Sequence, residues 1–253
     1  MDHTNISTPA NQISSVKTVR FSNRPIYGKF SIVLLGVIFI SILPYYVKVY
    51  NTPEIVSATF IVHSILYLGW YILFAAQSNL VSLGNFSAHK KLGYMSVALF
   101  VFLIISGVEM LIGVMAAYDP NWTGGHVYSR ASFVWGILHT LFSFFIFYIL
   151  GIFFRKQLQL HKRFMLMASL SMVSASVTRV AFLPFIPVEG TILTLVATYA
   201  FLLTPMVIDR LAFNAIHPVF KWCVPIYVVT QIICIGILPA TEIGRAIAFP
   251  LQF

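Results

Sequence analysis

Seven apolar runs follow one another along the chain, separated by short polar joints. A helix needs about 20 mostly apolar residues to cross a bilayer. Runs of that length lie near 30–50, 55–76, 92–116, 132–154, 164–183, 190–208 and 222–239. The pattern predicts an all-α polytopic transmembrane bundle of about seven spans. The segment 1–29 reads as a polar, basic N-terminal tail, with residues 1–20 structureless. It shows no small-residue cleavage site ahead of the first run, so that run reads as a signal-anchor. Residues 30–239 form the transmembrane domain, with its core at 55–183, and 240–253 read as an external C-terminal tail.

Composition narrows the class. Hydrophobic residues make up 59% and charged residues 9% of the chain, against roughly 25% charged in a soluble domain. Such a surface suits lipid, where backbone polar groups are satisfied within helices. The formal charge is +9, but the basic residues sit in the joints. They therefore report orientation rather than a nucleic-acid partner. With the N-terminus in the cytoplasm, twelve Lys and Arg fall inside, and Lys48, Arg130 and Arg245 fall outside. The lipid bilayer is the expected partner. Cys223 and Cys234 stand 11 residues apart in one apolar run, out of disulfide reach on one helix. No phosphate loop, nucleophile motif or nucleic-acid module is present.

The histidines carry the candidate chemistry, because ionisable residues inside a membrane are costly. His63 and His139 lie early on spans 2 and 4, roughly 10–12 Å below the outer boundary. His89 and His161 lie at the inner mouths of spans 3 and 5. The local sequences repeat: HKKLGYMS from His89 against HKRFMLMA from His161, and HSIL from His63 against HTLF from His139. One helical hairpin used twice in parallel would be related by an axis along the membrane normal. It would set His63 against His139 and His89 against His161. Opposed imidazoles suit a bis-His haem built in a four-helix core, with Gly93 and Ser96 leaving room for a macrocycle. Trp70 and Gln77 continue the His63 stripe. A histidine beside KK or KR is equally a member of a basic interfacial belt, and a histidine within a span also bonds neighbouring helices.

Two further charges fall within spans. Arg179, on span 5, is a candidate for a haem propionate, since a guanidinium grips a carboxylate bidentately. Glu109, on span 3, is either its ion-pair partner or a ligand with His63 and His139 of a bare ion such as Zn or Cu. The pair Asp209–Arg210 reads as a solvated helix end. His3, His126 and His217 have no assigned chemistry.

Histidines on four consecutive spans, paired 2 with 4 and 3 with 5, resemble the cytochrome b561 family over about residues 55–183. That resemblance implies one or two b haems held by His63, His139, His89 and His161, and electron transfer across the membrane. The donor would be a quinol or small redox partner. The stretches HKKLGYMSVALFVFLIISG and HKRFMLMASLSMVSASVTR are similar to bacterial membrane proteins grouped as domain of unknown function 2306, whose second motif ends in an Arg at the position of Arg179. This implies a bacterial inner membrane and no activity. The expectation is a membrane b-type cytochrome. The alternative is a metal-dependent membrane enzyme, or a transporter or assembly factor using the same histidines.

Overall fold

The computed structural model describes residues 26–52 and 56–250. The expectations for residues 1–25 lie outside the described residues. The described chain forms helices α1 (Ile26–Asn51), α2 (Ala58–Ser82), α3 (Phe86–Ala116), α4 (Gly124–Phe153), α5 (Leu158–Ser171), α6 (Val173–Ala181), α7 (Gly190–Phe213), α8 (Pro218–Ile232) and α9 (Glu242–Ala248). A π turn (Ile233–Ile237) and a 3-10 turn (Leu238–Ala240) extend α8. Counting α5 with α6 and α8 with its extension, seven segments are long and apolar enough to cross a membrane. Residues such as Ile105, Ile112, Phe142 and Leu211 are more than half exposed on their outer faces. In water that would be unstable; in lipid it costs nothing. The protein is a multi-pass helical membrane bundle.

The fifth span is its axis. Two thirds of its apolar window is buried (67%), against a third or less in every other span. It is also broken, at Met172. Backbone groups freed in a membrane must find partners within the protein, and tyrosines supply them. The hydroxyls of Tyr71, Tyr227 and Tyr67 donate to the carbonyls of Ser169 (2.7 Å), Ser171 (3.0 Å) and Met172 (2.9 Å).

The α2–α3 and α4–α5 hairpins pack along their lengths, with α1 laid on α2 and α6, α7 on α6, and the last span on α4. The α2–α3 joint is three residues long and turns through Gly84, whose φ of 73° no other residue type adopts as cheaply. Asn85 then caps α3 by accepting from the Ala88 N–H at 3.1 Å. Helices α3 and α5 both start nearly two turns earlier than the apolar runs, since His89 and His161 are polar enough to hide the helix start. Each is the fourth residue of its helix and donates its backbone N–H to Asn85 or Gln157 respectively.

The predicted C-terminal tail is not free. Helix α9 folds back on α4, where Trp135 Nε1 donates to the Gly244 carbonyl at 2.9 Å. Phe249 is buried beside Tyr118 and Trp122.

Candidate functional site

The hairpin joints α2–α3 and α4–α5 mark one end of the bundle, here the basic end, with Lys90, Lys91, Arg155 and Lys156. At this level the structure brings His89 and His161 together. Their ring centroids are 6.3 Å apart with planes at 86°. Two imidazoles on opposite sides of one metal at about 2.0 Å each would place their ring centres about 6 Å apart, a separation of this size. The Nδ1–H of His161 donates to the Gly151 carbonyl at 2.7 Å. That bond fixes the tautomer and leaves Nε2 with a free lone pair, which is how ligating histidines are oriented. Buried Nδ1 of His89 has no partner. Both rings line a cavity of about 320 Å³ with Trp70, Gln77, Ser96 and Lys162. A Cβ built on Gly93 meets nothing within 4 Å, but Gly93 does not line this cavity.

The other level is arranged differently. His63 and His139 do not face each other. The Ser106 hydroxyl lies 3.0 Å from His63 Nδ1 and 3.2 Å from the Leu103 carbonyl. His63 lines a cavity of about 750 Å³ together with Leu141 and Arg179. His139 does not line that cavity. It is buried against Tyr227, with centroids 4.6 Å apart, and bonds Thr230 through Nε2 at 3.0 Å. The Thr230 hydroxyl proton goes to the Ile226 and Tyr227 carbonyls, at 2.8 and 3.0 Å. His139 Nε2 is therefore the donor, and it is spent. The two histidines differ in azimuth: α8 covers the face of α4 that carries His139.

The three-ligand ion site of His63, His139 and Glu109 is not assembled either. Glu109 is exposed and accepts from the Thr59 hydroxyl at 3.0 Å. Among the described residues no group of three or more His, Cys, Asp or Glu converges. Nor does Glu109 pair with Arg179. The only acid–base ion pair among the described residues is Arg163–Asp209.

That pair corrects the reading of Asp209 as part of a solvated helix end. Arg163 and Asp209 are both fully buried and meet at 2.8 Å, with a second bond at 3.2 Å. The Tyr27 hydroxyl donates to the same carboxylate, and so does the His217 N–H, at 3.0 Å. Asp209 thus ties α1, α5, α7 and the start of α8 at the basic end. Burial, more than the nearby Arg163 charge, pushes the His217 imidazole down to about 4. The signal in the sequence was a carboxylate standing alone among the basic joints.

Comparison with family models, with curated proteins and with solved structures finds no match to this chain.

Proposed function

We propose that the protein is a membrane cytochrome-like carrier that holds one haem b between His89 and His161 at its basic end. The observation behind this reading is the 6.3 Å separation of two imidazoles presented at the same position of two helices. A bare ion is served less well. Structural zinc takes four protein ligands and catalytic zinc takes three, whereas these two histidines have no third ligating partner among the described residues. A porphyrin brings four nitrogens of its own and asks the protein for two. When bound, haem would supply one-electron transfer at a potential set by its axial ligands and surroundings. The chain's own residues would hold and orient it. His161 would be fixed by Gly151, and Lys162 lines the cavity as a cation for a propionate.

The proposed setting is a bacterial inner membrane with the N-terminus and the basic end inside, the C-terminus outside, and a quinol or small redox partner as donor. The runner-up is a Zn- or Cu-handling membrane protein using the same two histidines. Protein purified from haem-replete cells tests the two. Reduced b-type bands with about one haem per chain are expected; colourless protein with stoichiometric zinc or copper would overturn the proposal.

A further inference from the structure

The larger cavity has no part in that reading, and its chemistry points elsewhere. It encloses about 750 Å³ at the end of the bundle opposite the basic joints, within the range of single-ligand pockets. Its wall is mostly apolar and includes Phe60, Phe133, Phe144 and Met172. Arg179 also lines it. This cation has no carboxylate partner among the described residues; Nη1 donates to the Ala175 carbonyl at 2.9 Å, and the guanidinium lies 6.0 Å over the Tyr45 ring. A cation within a span is costly unless paired.

A second, independent observation concerns the wall itself. Gln231 is only 9% exposed, and its Oε1 has no partner. The hydroxyls of Ser132 and Thr194 are likewise buried and unpartnered. All three line this cavity. Buried polar atoms are nearly always bonded, so exceptions ask for an explanation.

We propose that this cavity binds a long-chain carboxylate, with its head on Arg179 and its chain against the aromatic wall. Arg179 is two residues from the end of α6, so it lies about 3 Å below the helix terminus. That is the level at which an amphiphile in a bilayer carries its head. The guanidinium fork matches a planar carboxylate with two parallel bonds, and the free hydroxyls of Ser132 and Thr194 are donors of the same kind. One acyl chain suits the volume; a two-chain phospholipid does not. The proposal is independent of the haem reading, because the two cavities are separate and share no lining residue.

The test uses the full chain in nanodiscs of zwitterionic lipid with a palmitate carrying a terminal diazirine. After irradiation, adducts are mapped by mass spectrometry. Labelling is expected on the cavity wall from α2, α4 and the last span. Palmitate should compete at least about tenfold better than hexadecanol, which keeps the chain and lacks the charge. Arg179→Gln should weaken labelling about tenfold. If that variant fails to fold, Gly136→Leu serves, since a Cβ there meets only Ile235 Cγ2 at 3.6 Å and the side chain would fill the cavity. It should abolish labelling with Arg179 intact. Equal competition by hexadecanol, adducts confined to outer helix faces, or labelling unchanged in both variants would overturn the proposal. So would a haem that occupies this cavity, seen as a Soret band lost in Gly136→Leu. Haem content read on the same samples keeps failure of this site distinct from failure of the His89–His161 site.

Discussion

Asp209→Leu removes the carboxylate on which four elements converge. Arg163 would remain fully buried with its charge unpaired, and the Tyr27 hydroxyl and His217 N–H would lose their acceptor. Removing one partner of a buried ion pair costs about 3–5 kcal/mol. For a chain of this size, each kcal/mol moves the midpoint by roughly 2–4 °C, so the loss is on the order of 10 °C. Replacing both partners by apolar residues is far gentler, because no stranded charge is left. Arg163→Met/Asp209→Leu should therefore regain at least about half of what the single variant loses. Thermal unfolding in detergent, followed by circular dichroism, reads both. The reasoning is refuted if Asp209→Leu costs less than about 1 kcal/mol, or if the double variant is less stable than the single one.

His217 predicts a pH dependence. Its folded value of about 4 lies below the ordinary one of 6.5, so below that ordinary value the unfolded chain takes up a proton that the folded chain refuses. Stability should therefore fall as pH drops from about 6.5 towards 4, by on the order of 2 kcal/mol. His217→Asn keeps an acceptor for the Val219 N–H and should reduce that slope; an unchanged slope would place the titration elsewhere. Tyr71→Phe keeps the ring but leaves the Ser169 carbonyl with only the long 3.4 Å bond from the Met172 N–H at the break in the fifth span, and a loss of about 1 kcal/mol is expected in the same melts. Reporter fusions should place the 77–91, 155–163 and 209–221 joints on the cytoplasmic side and 117–131 outside; an outward 155–163 joint would reverse the assigned orientation.

Much of the architecture was legible because lipid imposes it. Seven apolar runs became seven spans, and Pro44, Pro205 and Pro225 interrupted none of them. The repeated HKK and HKR motifs marked two equivalent places, the fourth residues of α3 and α5, and those histidines meet. What hydropathy and depth cannot carry is azimuth. His63 and His139 read at one depth in the sequence, yet His63 stands 19 residues from the basic end of α2 and His139 14 from that of α4; one faces a cavity and the other faces α8, since the covering helix arrives from far along the chain. The break at Met172 follows no Gly or Pro. It is held by hydroxyls from Tyr67, Tyr71 and Tyr227, two of them roughly a hundred residues upstream. Asp209 was misread for the same reason: its partners Tyr27 and Arg163 are 182 and 46 residues away.

The central claim is that His89 and His161 act as one pair and that the other two histidines do not belong to it. Haem per chain in the wild type and in each single His→Ala variant tests this most directly. His89→Ala and His161→Ala should each lose the b-type spectrum, while His63→Ala and His139→Ala retain it. Haem lost from His63→Ala or His139→Ala and kept in both His89→Ala and His161→Ala would contradict the account.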